Sequence, residues 1–390
     1  MSKRWIPFLT LGLFGITLLS FAAGYHAREI WPLATQQLSL VKEARRLLET
    51  HSLDPLPDDL ELERGMIHGM IGVLRDPYSR YVEPAAHEIQ SDELAGEYAG
   101  IGAEISKGEQ GKFYLIPIEG GPAEAAGILE GDILLAIDGA SLDIDASLSS
   151  IITRIRGPEG SVIRLTLAPR TPQQNNIELE ITRTLIPLPS VSHHLLPEEQ
   201  WIGVIIIRRF SDRTPSELEE AYRDLMKGGA RSIILDLRDN SGGLLDSSID
   251  SSRLFLDDGL IVVEEQRGME SQVFYVHENG LASETPLVVL VNAGTASAAE
   301  VVAASLQDNG RALVLGETTF GKGSVQSILE LRDGSSLHVT SARWLTPNGH
   351  VIDNSGLIPD IVVEQSESTV DNGIAIAVEW LREQSEDGER

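Results

Sequence analysis

Two residues of this 390-residue chain could do covalent chemistry together: Ser297, in "VNAGTASAAEVV", and Lys322, in "GETTFGKGSVQ". Ser297 falls where an apolar strand-like run, "PLVVLVN", turns into a helix-like run that continues to about Gln307. A serine there lies near the free N–H groups of a helix N-terminus, which can stabilise a negative oxygen. Its hydroxyl is a weak nucleophile and needs a base. None of the nine histidines has a recognisable catalytic setting. A lysine can serve if it is neutral, and apolar burial favours that form. Gly321 and Gly323 would let the backbone turn tightly and bring the amine of Lys322 close. The plainer reading makes Ser297 a helix cap and Lys322 a surface turn lysine.

Gly316-x4-Gly321-Lys322 also approximates a phosphate-binding loop. That motif needs Ser or Thr after the lysine and a helix opening there. Gly323 follows instead, and "SVQSILEL" alternates like a strand. No helix dipole would then face a phosphate. Asp236, ending "SIILD", could imitate a magnesium-binding strand, but it precedes the loop, the reverse of the usual order.

The formal charge of −28 argues against nucleic acid, whose phosphates need a basic footprint. With no cysteine, thiol catalysis, disulfides and thiolate metal sites are excluded. Lys3 and Arg4 precede an uncharged, mostly apolar run from Trp5 to Gly24. This reads as an export signal, with Ser20-x-Ala22 a weak cleavage site, or as a retained anchor with its basic end inside. The expected location is the bacterial periplasm, free or anchored to the inner membrane.

The elements that must position the two residues follow from periodicity. Residues from Ala34 to His51 and from Asp58 to Leu74 read as helices, and "RDPYSRYVEP" stops the second at Pro77. From Leu94 to Leu167 the chain is Gly-rich with short strand-like runs, and only "ASLSSIITRI" looks helical. Ala168 to Asn176 reads as a loop or module edge. From Trp201 strands alternate with helices, as in crossover units. Thr214 reads as the N-cap of "TPSELEEAYRDLMKGG". The last 25 residues read as a short amphipathic piece and an acidic, frayed end.

The segment "TASAAEVVAASLQDNGRALVLGETTFGKGSVQ" resembles the active-site region of the carboxy-terminal processing proteases, serine peptidases of the S41 family. The resemblance implies that Ser297 is the nucleophile, Lys322 the general base and Gln326 the residue orienting that lysine. Asp308 also matches, in a structural role. "RDPYSRYV" resembles the family's L-D-P-Y-S motif. "DLRDNSGGLL" resembles its D-L-R-N-N-G-G-G segment, with Ser241 replacing a glycine, and His350 stands where Arg is common. By the same match the oxyanion hole uses backbone N–H groups of Gly243 and Ala298, with Gly242 also a candidate.

"GEYAGIGAEI" and "GPAEAAGILEGDILLAIDG" resemble the family's PDZ domain. The implied carboxylate loop is Gly100, Ile101, Gly102 and Ala103, followed by a strand that accepts a peptide as an added strand. Arg156, after the PDZ helix, reads equally as a coupling residue or a solvent-facing one.

The expected fold is a multidomain α+β and α/β chain. It comprises a signal or anchor (1–27), a helical segment (28–93), a PDZ domain (94–172), a crotonase-like (ClpP/crotonase) α/β protease core (173–364) and an acidic tail (365–390). The expected function is an exported serine endopeptidase cutting near substrate C-termini, with the PDZ domain recognising those termini or gating the site. No cofactor or metal is implied. Polypeptide substrates are the expected partners, with an adaptor and self-association through the N-terminal helices as further candidates. The rival reading is a non-catalytic peptide binder on the same fold.

Overall fold

The computed structural model describes residues 39–170, 175–363 and 371–387. The chain forms two compact units, one ending at Met70 and one starting at Ile71. In the first, helix α1 (Ser39–His51) has no buried residue and exposes Leu40, Val41, Leu47 and Leu48. Helix α2 (Asp59–Gly72) follows. The apolar run from Trp5 to Gly24 lies outside the described residues.

The second unit opens with β1 (Arg80–Val82), α3 (Pro84–Ala95) and β2 (Glu97–Gly100). A β-rich module follows, with β3 (Ala103–Lys107), β4 (Phe113–Pro117), α4 (Pro122–Ala125), β5 (Asp132–Ile137), β6 (Ala140–Ser141), α5 (Leu148–Ile155), β7 (Val162–Ala168) and β8 (Ile177–Thr182). Its antiparallel sheet runs β3-β4-β5-β7-β8, so β3 is an edge strand. Phe113, Leu115, Ile151, Ile163 and Leu165 fill its core. The loop after Ala168 does not end the module. Val162 pairs with Thr182 and Leu167 with Ile177, so the same sheet extends past the expected boundary at 172.

The strand β9 (Thr184–Pro187) pairs with β2. Then come β10 (Val191–Leu196), β11 (Glu199–Ile207), α6 (Thr214–Lys227), β12 (Ser232–Asp236), α7 (Leu245–Arg253), β13 (Leu260–Gln266), β14 (Gln272–Tyr275), β15 (Leu287–Val291), α8 (Ala298–Asp308), β16 (Leu313–Gly316), β17 (Ser324–Glu330), β18 (Ser336–Leu345), β19 (Ile361–Val362) and α9 (Asn372–Asp387). One sheet runs β10-β11-β12-β15-β16-β19, parallel from β11 onward. Both faces are covered, as parallel sheets require. Ile205, Leu235 and Val289 meet α6, α7 and α8 on one side. Ile202, Ile234 and Leu290 meet Ala377 and Leu381 of α9 on the other. Helix α9 therefore packs through the stretch read as amphipathic, and its residues from Arg382 to Ser385 are exposed. Thr214 is the first residue of α6 rather than its cap; its hydroxyl accepts from Ser211 N–H at 2.8 Å.

A second sheet, β1-β18-β13-β14 with β17 also on β18, carries the residues that follow Lys322. Because β17 is a strand, no helix opens after the glycine-flanked lysine, which removes the geometry a phosphate loop needs.

Candidate active site

Ser297 stands at the junction of β15 and α8 with φ 55° and ψ −120°. A positive φ is strained for a residue with a Cβ, and such strain gathers at functional sites. The turn that imposes it is cross-braced. Asn292 Nδ2 donates to Asp239 Oδ1 at 2.9 Å, and Asp239 N–H donates back to Asn292 Oδ1 at 2.9 Å. Ala296 N–H donates to the carbonyl of Asn240 at 2.9 Å. The Gly242–Gly243 turn is thereby fixed beside the serine.

Both glycines are required there. A Cβ on Gly242 would lie 2.8 Å from Ser297 Cβ, and one on Gly243 would lie 2.0 Å from the carbonyl oxygen of Phe210. The N–H of Gly242 already donates to Asn240 Oδ1 at 2.9 Å. This corrects its expected availability: a donor held by a buried side chain cannot also face a reacting oxygen. The N–H groups of Gly243 and Ala298 have no partner among the described residues, and both residues line the same cavity as Ser297.

Lys322 is half-buried, and its amine donates to Gln326 Oε1 at 3.0 Å. The other end of that amide, Nε2, donates to the carbonyl of Tyr78, which settles which end of Gln326 faces the lysine. A register shift between Val325 and Gln326 re-aims the side chain. Tyr78 lies in a turn held by Asp76, which accepts from Tyr78 N–H at 3.1 Å and from the Ser79 hydroxyl. The ring of Tyr78 sits under the amine, 5.3 Å from ammonium nitrogen to centroid. Burial pushes the Lys322 pKa below that of an ordinary lysine; Arg80 lowers it further, while Asp76 and Glu300 oppose the shift. Among the described residues no hydrogen bond joins Ser297 Oγ to Lys322 Nζ. They share one cavity of about 470 Å³.

Glu300 is a linchpin that its place in the sequence did not disclose. It is fully buried. One carboxylate oxygen accepts from Ser297 N–H at 2.7 Å and Lys322 N–H at 2.9 Å. The other accepts from Gly321 N–H at 2.8 Å and the Thr319 hydroxyl. One side chain thus fixes the backbone of both candidate catalytic residues. Gly321, at φ 85°, passes close under the turn formed by Ile352 and Gly356. The indole of Trp344 donates to the Lys322 carbonyl at 3.2 Å. The only earlier signal for Glu300 was its place three residues after Ser297, the spacing of a capping box. Asp308 accepts from Asn348 N–H at 2.9 Å and so holds the "TPNG" turn.

The candidate carboxylate loop lies in the β-rich module. The carbonyls of Ile101 and Gly102 accept from Ala123 and Ile118 N–H groups at 2.7 and 2.9 Å. The N–H groups of Ile101 and Gly102 have no partner among the described residues. Gly100 ends β2, opposite Thr184, and Ala103 begins edge strand β3. Arg156 does not face solvent: its guanidinium bonds Asp92 of α3 at 2.5 Å and lies 4.6 Å from the Tyr98 ring centroid. Gln90, Glu93 and Leu94 of α3 in turn line the cavity. Among the described residues no cluster of His, Asp and Glu could hold a metal ion, and no helix is long and apolar enough to cross a membrane.

Comparison with known proteins places this geometry in a family. Residues 201–363 match the model for peptidase family S41, and residues 117–169 match a PDZ domain model. The chain is 35% identical over 309 residues to a probable CtpA-like serine protease of Staphylococcus aureus, covering 79% of this chain and 61% of the relative. A protein of the same description from Staphylococcus haemolyticus is 36% identical over 302 residues, covering 77% of this chain and 60% of that one. This chain thus spans about six-tenths of the length of these relatives. Among solved structures, the photosystem II D1 C-terminal processing protease aligns with 31% identity and a TM-score of 0.49, covering 87% of this chain and 90% of the other. The chain belongs to peptidase family S41 and carries a PDZ domain.

Proposed function

We propose that the protein is a serine endopeptidase with a Ser297–Lys322 dyad. Ser297 Oγ attacks the scissile carbonyl, and Lys322 Nζ takes its proton and passes it to the leaving amine. Water then hydrolyses the acyl-enzyme, with the neutral amine again as base. Gln326 holds the amine, and the N–H groups of Gly243 and Ala298 receive the oxyanion. The observation that carries this reading is the pairing of a strained serine at the start of α8 with a half-buried lysine in one cavity. A peptide-binding role alone would explain neither the strain nor the depressed lysine pKa. The test is cleavage of denatured casein: wild type should release new termini, and Ser297→Ala should release none. Equal cleavage by both would remove Ser297 from the chemistry.

The same reading assigns the PDZ domain to substrate C-termini, with the Ile101 and Gly102 N–H groups facing a carboxylate and edge strand β3 receiving the peptide. Helix α3, tied to Arg156 and reaching the cavity, is the element through which that domain would gate the site. Export to the periplasm rests on the run after Lys3 and Arg4. Protease added to spheroplasts should digest the protein, and full protection would oppose the assignment. Self-association or an adaptor would fall on the exposed apolar residues of α1. Sedimentation of the full chain tests the first.

A further inference from the structure

The cavity holds polar groups that the dyad does not use. Arg80 and His338 are direct partners in the antiparallel β1–β18 register, so their side chains share a face. Both line the cavity beside Lys322 and Gln326. Arg80 is exposed and its guanidinium makes no hydrogen bond or ion pair with any described residue, whereas Arg209 on the cavity wall pairs with Glu93 at 3.4 Å. His338 is only 2% exposed, yet its Nε2 has no hydrogen-bond partner. The Ser324 hydroxyl, also on the cavity wall, is buried and unpartnered as well. A buried polar atom without a partner is costly, and such atoms in a cavity wall point to a missing ligand. Two guanidinium cations, Arg80 and Arg209, line this cavity besides Lys322, against one carboxylate, Glu93, in a chain of formal charge −28.

We propose that Arg80 and His338 form a carboxylate-binding subsite that holds an acidic group of the substrate close to the scissile bond. The inference rests on the peptidase reading and adds a determinant of specificity to it. The guanidinium offers a planar fork that matches a carboxylate. His338 is neutral near pH 7, its pKa pulled down to about 4 by burial, with Arg80, His87 and Lys322 adding to the effect. A neutral imidazole can donate from Nε2 without adding charge. Ser324 can donate a third bond. The carboxylate could be the chain terminus of a short leaving segment or the side chain of Asp or Glu.

The experiment starts from a peptide that the enzyme cuts. It compares matched pairs: free acid against amide at the C-terminus, and Glu against Gln at each of the three positions on either side of the scissile bond. The readout is the ratio of kcat/KM within each pair, so any change in the chemical step cancels. Wild type should favour the carboxylate member of one pair about tenfold, the scale of one charged hydrogen bond. Arg80→Gln should bring that ratio to about one, Arg80→Lys should leave it intermediate, and His338→Asn should reduce it. The responding pair identifies the source of the carboxylate. Ratios near one throughout in wild type, or a preference that survives Arg80→Gln, would overturn the proposal. The same pairs are also measured as ligands of Ser297→Ala, with and without Arg80→Gln, by fluorescence anisotropy. If wild type cuts no peptide, the peptidase reading fails, and the binding ratios still decide the subsite.

Discussion

Removing Glu300 should disturb the serine and the lysine together, and the two obvious replacements should differ in a defined way. In Glu300→Gln one oxygen becomes an NH2 group. Placed toward Ser297 and Lys322 it would face two N–H donors; placed toward Gly321 and Thr319 it would face one N–H and a hydroxyl that can turn. The second orientation wins, because it orphans only the Gly321 N–H. A buried unsatisfied donor costs about 1–3 kcal/mol. The neutral amide also sheds the desolvation cost of a buried charge, which places the loss toward the low end of that range. Ser297 and Lys322 keep their acceptor, so kcat/KM should fall by no more than about tenfold. In Glu300→Ala three N–H groups and a hydroxyl lose their acceptor. At the same cost per N–H group the penalty is about 3–9 kcal/mol, comparable to the whole stability of many domains. Any surviving fold should have a displaced Lys322 loop and lose at least about a hundredfold in rate, since a shift of about 1 Å at a reacting group costs that much. Urea titration followed by tryptophan fluorescence and circular dichroism, with peptidase kcat/KM on the same samples, reads both effects. Glu300→Ala with wild-type stability and activity would refute the reasoning, as would a glutamine variant more damaged than the alanine one.

Further outcomes are expected. Gln326→Met should stay folded yet lose about ten- to a hundredfold in kcat, because it removes a hydrogen bond to the Lys322 amine, the proposed base, worth about 1.5–3 kcal/mol; thermal melting and steady-state kinetics check this. The acid limb of kcat/KM should rise with pH as Lys322 loses its proton, at a pH below the ordinary lysine range. Arg80→Gln removes a cation that disfavours the charged amine, so a pH–rate profile should show that limb moved to higher pH. Gly243→Ala places a methyl against the Phe210 carbonyl and moves the proposed oxyanion donor, which should lower kcat by about 10²–10³, measured against an unchanged far-ultraviolet spectrum. Leu381→Ala should destabilise the core by about 2–5 kcal/mol, since this fully buried residue of α9 packs on the parallel sheet; chemical denaturation decides whether the C-terminal helix is part of the core.

What the sequence disclosed and what it hid divide along physical lines. The strand–helix turn at Ser297, the strand after Gly323 and the buried strands around Ile234 and Val288 are local patterns, and each lies where periodicity put it. The amphipathic piece near the C-terminus is part of helix α9 and buries Ala377 and Leu381, while the helix beyond Leu381 was obscured because its residues are polar and exposed. The module edge at 172 was misplaced because a polar hairpin loop looks like a linker until β8 is seen paired with β7. The hub role of Glu300 needs donors at 297, 319, 321 and 322, which only the folded loop assembles. Arg80 and His338 come from distant stretches and meet only through the β1–β18 register.

The central claim is that Lys322 acts by losing a proton and not merely by carrying a charge. Arginine keeps the charge but cannot act as a base in a protein. The decisive measurement is therefore the peptidase rate of Lys322→Arg, with its fold verified by a crystal structure showing Ser297 undisplaced. The account predicts a rate as low as that of Lys322→Ala. Substantial activity in Lys322→Arg would contradict it.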